Sequence, residues 1–161
     1  MKFIKSLYIH KQLYIYLAVV SVCFLMSYWF PVLYSLAWIL ITIVIVLLSI
    51  DLMLIYGPKN GIDARRLLPE KFSNSDNNPV PITINSSYNF KTFIDVIDEL
   101  PMQFHKRDFS YKISLNLSET HNFEYAVRPI DRGEYYFGYL NIFASSILKI
   151  IKRRYRFQNE Q

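Results

Sequence analysis

Two histidines, His105 and His121, lie in the polar part of the chain, and Asp95, Asp98 and Glu99 precede the first of them. Imidazole nitrogens and carboxylate oxygens bind zinc in proteins, and the same groups transfer protons in acid–base catalysis. Neither histidine belongs to a set with the spacing of metal ligands. The residues around Asp98 and Glu99 are instead expected to end a strand. The sequence therefore predicts no catalytic, cofactor-binding or metal site, and an enzyme is not the expected function.

The remaining composition excludes several other classes of protein. The chain has no phosphate-binding loop, nucleophile elbow or dinucleotide fingerprint. Its single cysteine, Cys23, supports neither a disulfide framework nor a cysteine-based zinc site. The net charge is +5, but the basic residues concentrate near the two ends, whereas acidic residues outnumber basic ones between Asp51 and Leu148. This distribution argues against a nucleic-acid-binding module.

A basic cluster near the C-terminus is one candidate contact site. The cluster begins within the apolar stretch Ile147–Ile151 and continues after it. Its residues are Lys149, Lys152, Arg153, Arg154 and Arg156. A helix here would lie against anionic lipid, at up to about 1 kcal/mol for each basic residue near the surface. A segment without a helix would be a solvated connector, or a contact for a partner protein. The sequence leaves these alternatives open.

A second candidate is the segment from Arg128 to Gly138, which is rich in turn residues and aromatic residues. Its pattern predicts a hairpin in which Gly133 relieves a strained turn. Arg132, Gly133 and Gly138 are accordingly predicted to be structural turn residues.

A long uncharged segment precedes the polar part of the chain and is expected to determine where that part lies. No Asp, Glu, Lys or Arg occurs over the 39 residues from Gln12 to Ile50. One helix of that length would measure about 58 Å, against about 30 Å of hydrocarbon in a bilayer. Pro31 cannot donate a backbone hydrogen bond and divides the run into two stretches of 19 residues, Gln12–Phe30 and Val32–Ile50. The sequence predicts a transmembrane hairpin of two helices.

The charges that flank this hairpin predict its orientation. Lys2, Lys5 and Lys11 precede it, basic residues such as Lys59 follow it, and its tip carries no charge. Because positive charge stays on the cytoplasmic side, both termini are expected in the cytoplasm of a multi-pass inner-membrane protein. Asp51, at the end of the second apolar run, is interpreted as an interfacial carboxylate rather than an ion relay.

The rest of the chain shows the period-two pattern of strands. A breaker cluster at residues 57–61 precedes short runs that alternate apolar and polar residues between turn signals. The predicted strands are Ile62–Leu68, Pro81–Ser86, Phe93–Ile97, Tyr111–Leu117, Phe123–Arg128 and Glu134–Phe143. This pattern predicts an all-β, Ig-like sandwich. The domains expected are an N-terminal cytoplasmic segment (1–11), the hairpin (12–56), a linker (57–61), the sandwich (62–144) and the basic segment (145–161).

An ordered set of short motifs runs through nearly the whole chain: Asp51, Arg66–Pro69, Asn85, Asp98–Pro101, Arg107, Tyr125-x-x-Arg128-Pro129, Arg132-Gly133-x-Tyr135-x-Phe137-Gly138 and Arg153-Arg154. In this order they resemble the N-terminal part of the bacterial domain-of-unknown-function 58 family. The sequence has Lys149-Ile150 where members tend to have Gly-Leu.

The resemblance to this family implies a function for the chain, whereas the composition alone does not. Family members carry a similar hairpin and β-sandwich, followed by a von Willebrand factor A-like domain, whose Asp-x-Ser-x-Ser motif is absent here. They are often encoded beside MoxR-type AAA+ ATPases. The resemblance therefore implies a non-catalytic, membrane-anchored scaffold or interaction module with such partners, besides membrane lipids. The alternatives are a lipid-responsive element that uses the basic segment, and a truncated fragment without independent function.

Overall fold

The computed structural model describes residues 6–69, 71–104, 108–130 and 133–158. Over these residues the chain forms two α-helices and eight strands in two sheets. It divides into two compact units. The helical unit comprises Met1–Lys59 with Ser145–Arg153, and the β unit comprises Asn60–Ala144 with Arg154–Gln161. The prediction of N-terminal helices followed by a mainly β region is confirmed, although the last strand divides between the two units.

Two apolar helices, α1 (Lys11–Met26) and α2 (Val32–Tyr56), make up most of the helical unit. His10 precedes α1 as its N-cap and accepts a hydrogen bond from a first-turn backbone N–H at 3.3 Å. Pro31 occupies the N-cap position of α2, where its missing N–H costs no intrahelical bond. The break predicted at Pro31 is therefore present.

The two helices pack against each other near the turn that joins them. The ring centroid of Phe24 on α1 lies 6.2 Å from that of Tyr34 and 5.9 Å from that of Trp38, both on α2. Both contacts are edge-to-face, an arrangement that aromatic rings favour. The chain thus reverses direction between α1 and α2.

Among the described residues, α2 alone is long and apolar enough to cross a membrane. It has 25 residues, whereas α1 has 16 and measures about 24 Å, less than the hydrocarbon thickness of about 30 Å. The predicted span Gln12–Phe30 does not remain helical to its end, because the residues after Met26 form a turn in which Trp29 N–H donates to Met26 O at 3.1 Å. The structure therefore supports one candidate span where the sequence predicts two.

A short strand precedes α1, in the segment 1–11 to which the sequence pattern assigns no secondary structure. β1 (Leu7–Ile9) pairs antiparallel with Ile151–Arg153, the first residues of the last strand. The pairing continues as His10 N–H donates to Ile150 O at 2.9 Å. A segment near the start of the described chain therefore pairs, within the helical unit, with a segment about 140 positions later.

The β unit contains two sheets in a sandwich-like arrangement. Its strands are β2 (Ile62–Arg66), β3 (Asn78–Ser86), β4 (Thr92–Glu99), β5 (Asp108–Leu115), β6 (Thr120–Val127), β7 (Leu140–Ser145) and β8 (Ile151–Phe157). One sheet has the order β2-β3-β6, and the other has the order β8-β7-β4-β5 within this unit. The measured pairs β2–β3, β3–β6 and β4–β5 are all antiparallel.

The core of the β unit follows from alternation along the strands. Every second residue of β2, β3 and β4 is buried, as expected when one face of each sheet packs on the core. Aromatic residues of β5 and β6 stack in pairs: the ring centroids of Phe109 and Tyr125 are 4.2 Å apart, and those of Phe123 and the more exposed Tyr111 are 4.4 Å apart. The fully buried aliphatic side chains include Val80, Ile82, Ile84, Ile94, Val96, Leu115, Leu140 and Ile142.

Each of the six predicted strands has at least one different end in the structure, and two of these differences change the local fold. The predicted strand Tyr111–Leu117 stops at Leu115, and Leu117 is 65% exposed in a turn. That turn is closed by Glu119, whose carboxylate accepts a hydrogen bond from Asn116 N–H at 2.7 Å. The predicted strand Glu134–Phe143 is wrong over its first half, because β7 begins only at Leu140.

The C-terminal segment forms neither of the two predicted structures, a helix or a solvated connector. Residues 151–157, which include four of the five basic residues of the predicted cluster, form β8 rather than a helix or a connector. β-Branched and aromatic residues within the segment favour a strand. The second half of β8 also extends the β unit beyond the predicted boundary at residue 144.

Candidate functional site

Asp51, at the end of the uncharged run of α2, has no exposed surface. Its Oδ1 accepts a hydrogen bond from the hydroxyl of Ser146. Its Oδ2 accepts hydrogen bonds from the backbone N–H groups of Ile150 at 3.0 Å and Ile151 at 2.9 Å. Hydrogen bonds to an ionised acceptor are stronger than bonds between neutral groups. Asp51 therefore holds the segment before β8 to α2, a role that its sequence position does not reveal.

The side chain of Arg153, a residue of β8, reaches the C-terminal end of α2. The last carbonyls of a helix have no intrahelical partner. Nη1 of Arg153 donates to Ile55 O at 3.1 Å and to Pro58 O at 2.9 Å. Nη2 donates to Lys59 O at 3.0 Å, and the guanidinium lies 4.8 Å from the ring centroid of Tyr56. Arg153 thus caps α2 through Ile55 O and holds the two residues that follow the C-cap Gly57 through two further hydrogen bonds.

We call the collar the part of the helical unit formed by Leu7–Gln12, Asp51 and Ser146–Arg153. Besides the bonds of β1 and Asp51, the side-chain amide of Gln12 lies 3.0 Å from both Leu148 O and Lys149 O, which it can reach as a donor when its nitrogen is oriented toward them. Lys149 has a left-handed φ of +52°, a conformation that non-glycine residues seldom adopt. The collar joins the start of α1, the end of α2 and the segment before β8.

The structure separates the five basic residues predicted to contact lipid or a partner: Lys149, Lys152, Arg153, Arg154 and Arg156. The first three belong to the helical unit and the last two to the β unit. Arg154 donates from Nε and Nη2 to Asn141 Oδ1, at 3.0 and 2.6 Å. The guanidinium of Arg156 lies 3.3 Å from the ring centroid of Tyr139. Each of the three arginines therefore contacts protein groups within its own unit.

Glu99 is the centre of a polar network in the β unit. Its carboxylate accepts hydrogen bonds from Tyr139 N–H at 3.1 Å and from the side-chain amide of Asn141 at 2.7 Å. Burial raises the pKa of Glu99, but these bonds and the charges of Arg156 and Arg154 outweigh burial, so its pKa lies below the ordinary value. Asn141 bridges the ionised Glu99 to Arg154.

A second carboxylate, Asp98, lies inside the β unit. Arg66 and Asp98 form a salt bridge in which the side chains are 1% and 0% exposed. The hydroxyl of Tyr125 donates to Asp98 Oδ2 at 2.6 Å. Arg66 lies on β2 and Asp98 on β4, so these groups connect the two sheets of the β unit.

Burial dominates the electrostatics of this cluster. It raises the pKa of Asp98 above the ordinary value, although the charge of Arg66 and the hydrogen bonds from Tyr125 and Arg66 act in the opposite direction. Burial, followed by the charge of Asp98, also raises the pKa of Tyr125. Tyr125 therefore remains a neutral hydrogen-bond donor over the whole physiological range.

Arg66 also positions the segment before β7. Its Nη2 donates to Gly138 O at 3.0 Å, and its guanidinium lies 4.9 Å from the ring centroid of Phe137. A Cβ atom on Gly138 would lie 2.7 Å from Cβ of Glu99, closer than atoms can pack. Gly138 thus allows a close approach to β4 rather than forming a turn.

The hairpin predicted between Arg128 and Gly138 is absent from the described residues, because the flanking strands β6 and β7 belong to different sheets. Gly133 has a φ of +156°, which L side chains rarely adopt. Arg132, the third predicted turn residue, lies outside the described residues.

The sequence contained a signal for the Arg66–Asp98 pair that the motif-based interpretation missed. Asp98 follows Ile94 and Val96 at intervals of two, and Arg66 follows Ala64 in the same way. Because successive residues of a strand point to opposite faces, both charged residues fall on the inward face. Two opposite charges at buried positions are expected to pair.

The histidines do not form a site in the described chain. His121 lies on β6, and its ring stacks on Tyr111 with the centroids 6.4 Å apart. His105 lies outside the described residues. Within those that are described, no group of three or more His, Cys, Asp or Glu side chains is placed to hold a metal ion.

The geometry therefore describes groups that hold protein segments together: Asp51 and Arg153 in the helical unit, and Arg66, Asp98 and Glu99 in the β unit. Comparison of the chain with protein-family models finds no match, and no curated protein matches it.

Proposed function

We propose that the protein is a non-catalytic, membrane-anchored scaffold or protein-interaction module of a bacterial inner-membrane assembly. The observation that carries the proposal is α2, an apolar helix of 25 residues with little of its surface buried. Such a surface is costly in water and stable in hydrocarbon. The bonds of Asp51 and Arg153 support an anchoring role, because they attach the end of this helix to the rest of its unit.

In this proposal α1 is the second span of a hairpin. Its support is the absence of charge from Gln12 to Phe30 and the packing of Phe24 on Tyr34 and Trp38. The aromatic tip would lie at the outer interface, and the basic flanks would keep both termini in the cytoplasm.

The proposed partners come from the resemblance to the domain-of-unknown-function 58 family: a MoxR-type AAA+ ATPase and von Willebrand factor A-like proteins. An Ig-like assignment of the sandwich is part of the same proposal. The use of Asp98 and Glu99 in internal bonds favours binding over catalysis. Two side chains suited to binding, Met102 and Tyr136, are 92% and 66% exposed.

We infer that Met102 and Tyr136 belong to one binding face, because their neighbours in the chain contact each other. Gln103 donates to Glu134 O at 3.2 Å, and the rings of Phe104 and Tyr135 stack at 4.8 Å. The segments that carry Met102 and Tyr136 are therefore in contact within the β unit.

Cysteine labelling tests the topology. In a Cys23→Ser background, Trp29→Cys at the tip and Leu117→Cys in the β unit replace side chains of nearly equal exposure, 66% and 65%. A membrane-impermeant maleimide added to intact spheroplasts should label Trp29→Cys, and should label Leu117→Cys only after lysis. Labelling of Leu117→Cys in intact cells would refute the cytoplasmic assignment.

Crosslinking in native membranes, followed by purification of the full chain, tests the partners. Recovery of an AAA+ ATPase or a von Willebrand factor A-like protein is expected with the unmodified chain and should decrease for Met102→Glu with Tyr136→Glu. Leu117→Glu is the matched control, because it adds the same charge at an exposed apolar residue on another turn. Failure to recover either class of partner would contradict the interaction role.

A further inference from the structure

We propose that the chain forms a symmetric dimer in which the edge strand β5 pairs antiparallel with β5 of a second copy, with Ser110 of the two copies opposite each other. This inference goes beyond the proposed function, because it concerns assembly of the chain with itself. It depends on neither the membrane anchor nor the proposed partners.

The first argument is the open edge of β5. Within the described residues, β5 is the last strand of its sheet and pairs only with β4. In an antiparallel ladder, alternate residues direct their backbone N–H and C=O groups to one neighbour, and the residues between them direct these groups to the other side. About half of the backbone groups of β5 therefore face the open edge, where a further strand can pair with them.

The second argument is that β5 lacks the features that usually protect a sheet edge. Protected edges are commonly short, interrupted by proline or a bulge, or rich in charge. β5 pairs with β4 over 8 consecutive residues without a break. It contains no proline and carries one charge, Lys112, after its first residue. Its edge is therefore a regular template for another strand.

The other edges of the two sheets are less suitable for pairing with a second copy. β1 has 3 residues and β2 has 5. The exposed charges of β2, Asp63 and Arg65, already pair with each other at 4.0 Å. β6 is as long as β5, but Glu124 is its only Asp, Glu, Lys or Arg, so β6 offers no lysine or arginine to a second β6.

The third argument is that the sequence of β5 is complementary to itself when reversed. Its first five residues are Asp-Phe-Ser-Tyr-Lys, an acid, an aromatic residue, a serine, an aromatic residue and a base. With Ser110 opposite Ser110 of a second copy, Asp108 falls opposite Lys112. Phe109 falls opposite Tyr111 in the same register, and each pair occurs twice. Opposite charges and aromatic pairs at directly opposed positions stabilise antiparallel strands, so a second copy supplies the partner that this edge specifies.

The neighbouring registers do not have this complementarity. With Tyr111 opposite Tyr111, Lys112 falls opposite Ser110 and loses its acidic partner. With Lys112 opposite Lys112, like charges meet directly, which destabilises a strand pair. The charges of β5 therefore select the register centred on Ser110.

The fourth argument is that the residues needed for the pairing are accessible. Ser110 and Lys112 are exposed. Tyr111 is 36% exposed although its ring stacks on Phe123 of β6, and Phe109 is only partly buried. A second copy of Tyr111 beside Phe109 would extend the aromatic stack between β5 and β6 and remove apolar surface from water.

Disulfide trapping of the full chain in freshly lysed cells tests the register. In the Cys23→Ser background, Ser110→Cys should form a disulfide-linked dimer on treatment with copper phenanthroline in air, because directly opposed residues of antiparallel strands lie within reach of a disulfide. Ser114→Cys is the matched control, because it makes the same substitution at another exposed residue of β5. In this register it lies about 26 Å from its counterpart and should remain monomeric. Equal dimer yields from the two variants would overturn the pairing.

Charge exchange tests the contacts. Lys112→Asp places acid opposite acid in the dimer and Asp108→Lys places base opposite base, so each variant alone should dimerise about tenfold more weakly than the wild-type chain. A mixture of the two variants restores both pairs of opposite charges, and the mixed dimer should be within about threefold of the wild-type affinity. Lys91→Asp, which reverses an exposed charge outside β5, should dimerise like the wild type. Fluorescence energy transfer between differently labelled full chains in detergent measures these affinities.

Recovery in the mixture separates an interface effect from a folding defect, because a misfolded variant does not regain affinity when the other variant is added. No recovery between variants that retain the wild-type unfolding transition would overturn the charge pairs. The disulfide test does not depend on either charge variant. A disulfide from Ser110→Cys to a different protein would assign this edge to another strand and overturn self-pairing, whereas the membrane anchoring would stand.

Discussion

The two units each bury a carboxylate, and they stabilise it in different ways. Asp51 in the helical unit is held by a hydroxyl and two backbone N–H groups, all neutral donors from residues 146–151. Asp98 in the β unit is held by the guanidinium of Arg66 and the hydroxyl of Tyr125. Asp51 thus attaches one short segment of backbone to a helix, whereas Asp98 connects side chains from two sheets. A buried charge can serve as either kind of link, depending on which donors surround it.

The units also differ in net charge. The sequence of the helical unit contains seven basic residues and one acidic residue, and that of the β unit contains eleven basic and twelve acidic residues. The overall charge of +5 therefore belongs to the helical unit. This distribution agrees with the proposed membrane anchoring, because basic residues concentrate beside membrane segments.

Removal of Arg66 should have the largest effect, because it leaves Asp98 buried without its cation. We expect Arg66→Met to destabilise the protein by about 3–5 kcal/mol, measured by denaturant unfolding of the full chain in detergent. Arg65→Met is the control, because the Arg65–Asp63 pair is 4.0 Å apart and 81% and 55% exposed, and it should cost less than about 1 kcal/mol. Combining Arg66→Met with Asp98→Leu should recover part of the loss; equal costs for Arg65 and Arg66 would refute the assigned role.

Replacement of Asp51 by Asn should have an intermediate effect. The amide oxygen can still accept from Ile150 and Ile151, but charge-assisted bonds become neutral ones, at a cost of about 1–3 kcal/mol. Hydrogen exchange at these two amides should accelerate, as followed by mass spectrometry of the peptide that contains them. Ser49→Ala, which removes only a bond to Ile45 O in the same helix, should leave that exchange unchanged. If both variants exchange alike, Asp51 does not hold the segment.

The effect of Arg153→Lys can be compared with that of Arg66→Met, because Arg153 caps a helix in the helical unit and Arg66 forms a buried ion pair in the β unit. Lysine keeps the charge but cannot reproduce the fork of donors that reaches Ile55, Pro58 and Lys59. We expect a loss of about 1 kcal/mol, smaller than for Arg66, because the three carbonyls lie in the last turn of α2 and in the partly exposed segment that follows it. A loss as large as that of Arg66→Met would contradict the difference between a cap and a buried ion pair.

The smallest effect is a pH dependence that differs in sign between two neighbouring residues. The folded pKa of Asp98 is raised above its ordinary 3.8, so Asp98 contributes stability that is complete below pH 3.8 and is lost as pH rises through the folded pKa. The folded pKa of Glu99 is lowered from 4.5, so its contribution is present above pH 4.5 and is lost as pH falls through the folded pKa. Unfolding free energies measured between about pH 3 and 7 should show that Asp98→Asn removes the first slope and Glu99→Gln removes the second. Slopes of the same sign would refute these pKa directions.

Local patterns account for part of the fold. The alternation of Ile82, Ile84, Ile94 and Val96 with polar residues predicts β3 and β4, since burial of one sheet face requires a period of two. Pro31 likewise predicts the start of α2 from its missing N–H. The strand β1 and the true start of β7 were missed, because β1 depends on pairing with β8, and the backbone before β7 is shaped by contacts with Glu99 and Arg66.

The sequence by itself determined that a charge-free segment precedes a mainly β region, because hydrophobicity and periodicity act over a few residues. Tertiary structure alone decided what the charged residues do. Asp51 and Ile150 are separated by 99 positions, and Arg66 and Asp98 by 32. A hydrogen bond depends on distance in space, and only the folded backbone brings such positions together. Asp51 and the first part of the basic segment, Lys149 to Arg153, thereby become parts of one collar near the end of α2, whereas Arg154 and Arg156 belong to the β unit.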